Sequence, residues 1–397
     1  MLRCLHILSS VNLEAGGVAR CVIDLCQGLA QHGVDTTLAT AEPDDVPQTW
    51  QTTHPPAHTP RCVVYDPAAP LDTLAPFIAD HDAVHLHVPW DRLNPAVADA
   101  CTRAHTPYAI SVHGMLDDWS MAQKPLKKRT YWWLTARKLL NQAAFVHTTA
   151  RAEADQAQQW FDHDRVVVAP LLMDPEPFRR AADVDPWPDL AGLDIKPDPA
   201  TPRFLFLSRL HPKKGVERLI EAAADLKQRK IDVELWIAGP PHEPAYLDQL
   251  NRLADQQGVA DRTRFLGMVR GDTKWALYRA ADVFVLPTQQ ENFGLVLVEA
   301  MGSGLPVLTT TGVDIWRELE AGGAKVLGGK PTPTNDITQD WTDPDPIALA
   351  LQPWLADPDL RRRVGTAGRE YVRRWLDPQS VVEQYIAAYE NALGDRS

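Results

Sequence analysis

No run of about 18 apolar residues occurs in the 397-residue chain, so nothing in it reads as a helix able to span a bilayer. Positive charge is in deficit. Lys and Arg number 40 against 52 Asp and Glu, a formal net charge of −12, which argues against nucleic acid as a partner because phosphate backbones require a basic face. Cysteine is sparse: Cys4, Cys21, Cys26, Cys62 and Cys101 are odd in number, scattered and without metal-ligand spacing. They fit reduced core residues of a cytosolic protein rather than a disulfide framework or a zinc site. The opening Met-Leu-Arg-Cys-Leu-His-Ile-Leu8 is too short for a signal peptide, lacks a small-residue cleavage site, and reads as a first strand. The turn after that strand is not Gly-x-Gly-x-x-Gly, which makes a nicotinamide cofactor a weak reading.

What the chain does have is ordinary globular composition, 45% hydrophobic and 23% charged, at a length that suggests two or three domains. In the first half, apolar runs at Leu2–Leu8, Val34–Thr40, Arg61–Tyr65, Ala83–His87, Tyr108–His113, Ala144–Thr148 and Arg165–Ala169 alternate with helical segments such as Gly17–His32. Residues 41–60 form a Pro-, Thr- and His-rich loop long enough to be mobile or functional. A proline-rich stretch to residue 202 breaks the rhythm and reads as a linker. A second series then runs through Arg203–Ser208, Val233–Ala238, Thr263–Leu266, Val283–Leu286, Val307–Thr309 and Ala324–Leu327. Alternating strands and helices imply parallel, doubly wound sheets, here two Rossmann-like halves. Ligands in such sheets bind beyond the carboxyl ends of the strands, so two facing sheets would share one site in the cleft between them. The expected division is an N-terminal acceptor-side domain at 1–175, a linker at 176–202, a donor-binding domain at 203–376 and a terminal helix at 377–397.

The most informative stretch is Glu291-Asn-Phe-Gly-Leu-Val-Leu-Val-Glu299, after the apolar run Val283–Leu286. Gly294 relieves crowding where a helix begins, and Leu295 to Met301 is apolar enough to be a packed helix. A strand, tight turn and helix N-terminus make an anion site, because unpaired backbone N–H groups point outward there. Two carboxylates flank it inside an apolar segment, where unpaired charge is costly. Carboxylates beside a phosphate make sense if they bind hydroxyls, so the stretch asks for a ligand combining phosphate with sugar. Ser208-Arg-Leu-His-Pro-Lys-Lys-Gly215 follows the first strand of the second series, and Arg209 and Lys214 can converge there on one anion. Asn12-Leu-Glu-Ala-Gly-Gly-Val18 offers Gly16 and Gly17 for close approach to a ligand, and Tyr108-Ala-Ile-Ser-Val-His113-Gly114 ends a strand with His then Gly.

Glu-x-Phe-Gly-x-x-x-x-Glu with the Arg-x-x-x-x-Lys pair resembles retaining, nucleotide-sugar-dependent glycosyltransferases of the GT-B fold, family four. The likeness extends over nearly the whole chain. It implies a GT-B α/β fold in which two Rossmann-like domains face each other across a cleft, and a terminal helix that crosses back to the first domain. It further implies catalytic roles for His113, Arg209, Lys214 and Glu291. Donor contacts would come from Gly16, Gly17, Gly267, Met268, Val269, Asn292, Phe293, Gly294, Leu295 and Glu299. Glu291 would serve donor-sugar hydroxyls and Glu299 ribose hydroxyls. No cofactor and no metal are expected, since Arg209, Lys214 and the helix start at Gly294 would hold the leaving charge and no Asp-x-Asp pair sits in a strand-end loop. The donor would be a UDP- or GDP-linked sugar and the acceptor a glycan or lipid-linked hydroxyl in bacterial polysaccharide synthesis. Two departures stand out: Pro240 in the Ala238-Gly-Pro-Pro241 loop, and Leu171-Leu-Met-Asp174 before the linker.

His85-Leu-His87 ends another strand and is expected to touch the acceptor. Residues 117–133 carry Trp and several Lys, as polysaccharide-extending members do, and read as a basic amphipathic helix. Residues 124–133 would then make a peripheral contact with anionic lipid at the inner face of the plasma membrane, with the rest cytoplasmic. The alternative there is a solvated helix with its two tryptophans in the core. Two rival functions stay open. One is glycoside hydrolysis by Glu291 and Glu299, which leaves Arg209, Lys214 and the glycine loop without a role. The other is a non-catalytic sugar-nucleotide-binding subunit.

Overall fold

The computed structural model describes residues 1–13, 17–174, 184–195, 198, 200–328 and 345–394. The chain divides into two compact units, one made of Met1–Asp174 with Leu376–Ser397 and the other of Pro175–Trp375.

The first unit holds a seven-stranded sheet: β1 (Arg3–Ile7), β2 (Asp35–Thr40), β3 (Arg61–Val64), β4 (Ala83–His87), β5 (Tyr108–Ser111), β6 (Phe145–Thr148) and β7 (Val166–Val168). All neighbours are parallel, in the order β3-β2-β1-β4-β5-β6-β7. Helices cover both faces, so the central strands are buried on both sides, including the polar residues that alternate along them. Leu5, Ile7, Val84, Leu86, Ile110 and Val146 pack in one core. The other face takes Cys4, Ala83, Ala109 and Phe145 against helix Gly17–Gln31 and the last helix, Pro378–Gly394. Strand period two then places His6, His85, His87, Ser111 and His147 on that second face, since His6 pairs with His85, His87 with Ser111, and Ser111 with His147. Loop 41–60 is anchored rather than loose, because Trp50 is fully buried in a cluster with Val46, Leu38 and Val11.

The second unit holds six parallel strands: β8 (Arg203–Leu207), β9 (Glu234–Ala238), β10 (Thr263–Gly267), β11 (Val283–Val285), β12 (Val307–Thr310) and β13 (Lys325–Leu327). Their order is β10-β9-β8-β11-β12-β13. The chain winds outward from β8 through β9 to β10, then returns to β11 on the other side of β8. The crevice at that reversal lies beyond the carboxyl ends of β8 and β11, which is where doubly wound sheets bind ligands. Within the proline-rich stretch, Trp187–Leu190 forms a short helix packed on this unit, with the Trp187 ring 6.3 Å from that of Trp236. After residue 344 the described chain runs as three helices. Asp345–Ala356, Pro358–Trp375 and Pro378–Gly394 are separated at prolines that can start a helix but not continue one.

Candidate active site

In the second unit, β8 delivers the Ser208–Gly215 loop to the reversal point. His211 caps a short 3₁₀ turn by accepting the Lys213 N–H at 3.1 Å. Gly215 follows at φ +70°, and a Cβ there would lie 2.3 Å from the carbonyl oxygen of Pro287, so only glycine lets the β8 and β11 loops approach this closely. The contact is further stitched by Gln289 N–H to Lys213 O at 2.7 Å and Thr288 Oγ1 to Lys213 O at 3.1 Å.

This stitching buries Lys214, at 5% exposure, with its ammonium against the carboxylate of Glu291. Lys213 points elsewhere, donating to Gln290 Oε1 at 2.9 Å. Arg209 lies exposed on the same loop. His211 is held down to about 4, first by burial and then by its cationic neighbours Lys213, His242, Arg209 and Lys214.

Glu291 is fixed from the other side, its N–H donating to Gly312 O at 2.8 Å and its carbonyl accepting from Asp314 N–H at 3.1 Å. Asn292 Nδ2 reaches Asp314 Oδ2 at 3.0 Å. The Phe293 ring is buried and stacks on Trp375 at 5.7 Å, so only its backbone faces the loop's ligand side. Gly294 stands at φ +66° and starts helix Leu295–Gly302; a Cβ there would fall 2.8 Å from Leu297 Cδ1 and 3.2 Å from Glu291 Cγ. The first-turn N–H groups of that helix thus open beside Glu291, and Leu295 is half-buried. Glu299, one turn on, is held by two groups the sequence reading did not single out. Its Oε1 accepts from Lys274 Nζ at 2.7 Å and its Oε2 from Tyr278 O–H at 2.9 Å. Burial and then the Glu299 charge push the Tyr278 hydroxyl well above its ordinary range.

The ends of β8, β9 and β10 are joined in the same way. Gly239, at φ +138°, would bring a Cβ to 1.9 Å from Ser208 O, and its N–H donates to Gly267 O at 2.7 Å. Pro240 leaves this arrangement intact because its carbonyl accepts from Leu210 N–H at 2.9 Å. Gly267 and Met268 are exposed and Val269 is buried. Lys214 therefore meets Glu291, which sits beside Gly294, and Gly267 is tied to the β8 loop through Gly239.

In the first unit, His113 sits two residues beyond β5 at φ +49°, followed by Gly114 at φ +70°. The turn is pinned by a carboxylate missed in the sequence: Glu153, fully buried, accepts from Gly114 N–H at 2.5 Å. It also accepts from Thr149 N–H at 2.5 Å and Thr149 Oγ1 at 2.7 Å. No capping-box spacing marks it, since the helix Arg151–Ala157 has Ala150 at its N-cap. His113 Nε2 lies 3.1 Å from His87 Nδ1, and His87 Nε2 lies 3.2 Å from His6 Nδ1. His85 and His87, expected at the acceptor, are instead fully buried within the first unit, His85 against Tyr389 of the last helix, which corrects that expectation. Strand register turns both rings onto a covered face. Nitrogens of His6, His85 and His87 lie within 4.8 Å of one another, the spacing of a metal-ligating trio. Their rings, however, stack at 12–29°, and lone pairs in near-parallel ring planes do not converge on one ion at about 2.0–2.1 Å. Gly17 opens the first helix, and Gly16 lies outside the described residues.

Residues 117–133 form two short helices, Asp118–Ala122 and Pro125–Tyr131, running into a wide turn at Trp132–Ala136. They are not one amphipathic helix, since Lys124 at φ +52° interrupts them. Leu126, Trp133 and Leu134 are 84%, 70% and 67% exposed, so Trp133 is no core residue. A groove of about 580 Å³ lies beside them, lined by Arg129, Thr130, Trp132, Trp133, Leu134 and Trp160. No described helix is long and apolar enough to cross a membrane.

Comparison with known proteins gives consistent relatives. Residues 194–371 match the model "Glycosyl transferases group 1", and residues 16–171 match "Glycosyl transferase 4-like domain". The chain is 28% identical to the D-inositol 3-phosphate glycosyltransferase of Nocardia farcinica over 97% of this chain and 87% of that one. It is 35% identical to the GDP-mannose-dependent alpha-(1-6)-phosphatidylinositol monomannoside mannosyltransferase of Mycolicibacterium smegmatis, over 43% of each chain. Among solved structures, Anabaena HepE in complex with UDP and glucose superposes with a TM-score of 0.71 at 19% identity, over 98% of this chain and 99% of that one. Sucrose-phosphate synthase from Thermosynechococcus elongatus gives 0.72 at 21% identity, over 100% of both.

Proposed function

The chain belongs to the group 1 glycosyltransferases of the GT-B fold, and from that premise we propose that it transfers a sugar with retention, and without a metal, from a UDP- or GDP-linked donor to an acceptor hydroxyl. The observation that carries this reading is the buried Lys214 ammonium against Glu291 at the sheet reversal, on the loop that also carries Arg209 and Lys213. When a diphosphate departs, Lys214 and Arg209 supply the charge that stabilises it, and the N-terminus of helix Leu295–Gly302 adds backbone donors from Asn292 to Leu295. Glu291 accepts hydrogen bonds from donor-sugar hydroxyls, and Glu299 from those of ribose. The backbone of Gly267, Met268 and Val269 borders the base. Gly16, Gly17 and His113 are further donor contacts in this proposal. The departing phosphate takes the acceptor's proton, so no separate general base is needed.

The acceptor is a glycan or lipid-linked hydroxyl in cell-surface polysaccharide synthesis. The names of the Nocardia and Mycolicibacterium relatives, one an inositol phosphate and one a phosphatidylinositol mannoside enzyme, support a polyol or lipid-borne acceptor. The protein works in the cytoplasm, at the inner face of the plasma membrane. Exposed Leu126, Trp133 and Leu134 beside Lys127 and Arg129 support contact with anionic lipid there.

Thermal-shift screening against nucleoside diphosphate sugars, followed by turnover assays with and without chelator, tests the reading. Turnover insensitive to chelator is expected, and loss restored by divalent metal overturns the metal-free claim. Donor binding without turnover or donor hydrolysis would instead identify a non-catalytic subunit. Flotation with anionic vesicles, compared with a Leu126→Ser, Trp133→Ser variant, tests the membrane contact; equal partition of both refutes it.

A further inference from the structure

Four buried histidines of the first unit and the half-buried His113 form two hydrogen-bonded chains, and the chemistry at the end of each fixes where its protons lie. In one chain His147 Nε2 is 2.9 Å from the backbone carbonyl of Ala169, which only accepts, so that nitrogen carries the proton. His147 Nδ1 must then accept from Ser111 Oγ at 2.7 Å. Ser111 in turn accepts from His85 Nε2 at 2.8 Å, and His85 Nδ1 accepts from the Tyr389 hydroxyl at 2.6 Å. Tyr385 closes the end, donating to Pro170 O at 3.3 Å and accepting at 2.9 Å from His147 Nε2.

The second chain, His6–His87–His113, has no carbonyl at its end. Its terminal atom, His6 Nε2, is fully buried and has no hydrogen-bond partner among the described residues. Imidazoles this enclosed stay neutral: burial holds both His6 and His113 down to about 3, and His87 well below its ordinary value. A neutral imidazole donates through one nitrogen and accepts through the other, so the chain runs head to tail in one of two directions. If His113 donated inward, His6 Nε2 would hold a buried, unmet N–H. If His6 donates outward from Nδ1, Nε2 is only a bare lone pair, the cheaper orphan.

We propose that His6 and His87 are positioning residues that polarise this chain outward, fixing the His113 proton on Nδ1 and leaving Nε2 as an acceptor locked to His87. Nδ1 has no hydrogen-bond partner among the described residues, so His113 presents a fixed N–H donor at the end of β5. Resting on the reading of His113 as a donor-sugar contact, this makes His113 a hydrogen-bond donor to a sugar oxygen and not an acceptor or a general base. A proton accepted at Nδ1 would create an imidazolium at a buried site with no carboxylate in its chain.

The test uses the full chain labelled with ¹⁵N-histidine, without ligand, at pH 7.5. A long-range ¹H–¹⁵N correlation separates Nδ1–H from Nε2–H tautomers, and a His113→Asn variant identifies the His113 signals. The expected pattern is neutral His113 protonated on Nδ1; protonation on Nε2, or a doubly protonated ring, overturns the proposal. His6→Asn puts an amide N–H where Nδ1 stood and should keep the pattern, with kcat within about twofold of wild type. His6→Leu removes the donor and should give mixed tautomers at His113, with kcat lowered about tenfold and donor KM little changed. An unchanged His113 pattern in His6→Leu also overturns it. The wild-type spectrum and His6→Asn carry the test if the leucine variant does not fold. The expected spectrum in a protein that turns over no nucleotide sugar would leave the tautomer standing and sink the functional reading instead.

Discussion

Replacing Lys214 by Met separates two things that one contact does. The side chain of Lys214 is 6% exposed and its partner Glu291 26% exposed. Removing one partner of a fully buried ion pair costs about 3–5 kcal/mol, because the other charge is left unmet. Glu291 retains some solvent, so about 1–3 kcal/mol is expected, and for a unit of this size that lowers the melting temperature by about 2–12 °C. Turnover should fall by roughly 10²–10³-fold, as for a lost oxyanion donor. Glu291→Gln in the same chain removes the stranded charge, so the double variant should regain most of the lost stability. It should not regain turnover, since the departing diphosphate would still lack its ammonium. Calorimetry and initial rates on the wild type, the two single variants and the double variant close the cycle. If Lys214→Met costs no further turnover in the Glu291→Gln background, the lysine acts only by neutralising Glu291, and its role on the leaving group is refuted.

Three further outcomes follow from the geometry. Glu299→Gln should weaken free nucleoside diphosphate and intact donor alike, by up to about 3 kcal/mol, while Glu291→Gln spares the free nucleotide; equal losses by titration calorimetry would refute that division. Gly239→Ala should destabilise the second unit by about 3 kcal/mol or more, since its Cβ would overlap Ser208 O at φ +138°; an unchanged urea midpoint would count against the stitched loop ends. The buried histidines make the first unit acid-labile. Their folded pKa values are lowered, to about 3 for His6 and His113 and about 4 for His147, below an unfolded value of about 6.5. The unfolded state therefore binds more protons in that window, and stability should fall as pH drops from about 7 towards about 3. A urea midpoint that stays flat between about pH 7 and 4.5 would contradict it.

Much of the scaffold was legible because its signals are local. Apolar runs located every described strand to within a residue or two, and Gly294 marked where its helix begins. The likeness of Glu291, Glu299, Arg209 and Lys214 to a known pattern pointed to the strand ends where Lys214 meets Glu291. The partners were not legible, because they depend on register and packing between distant segments. Nothing local links Lys274 and Tyr278 to Glu299, or Glu153 to Gly114. His6, His85, His87, His113 and His147 look unrelated along the chain, and only the parallel register aligns them. His113 and Lys124 adopt left-handed backbone without being glycine, which propensity alone does not foretell.

The last helix has a consequence for the order of assembly. Pro378–Gly394 supplies Val381, Val382, Tyr385 and Tyr389 to the core of the first unit, yet about 200 residues of the second unit are synthesised before it. At about 5–20 residues per second, a ribosome holds the nascent first unit open for about 10–40 s with the histidine-bearing face of its sheet uncovered. That face must be shielded by a chaperone or remain loosely collapsed in the interval. A gene fragment encoding only residues 1–174 should accordingly yield insoluble protein, recoverable when the 376–397 segment is supplied in trans or fused ahead of β1.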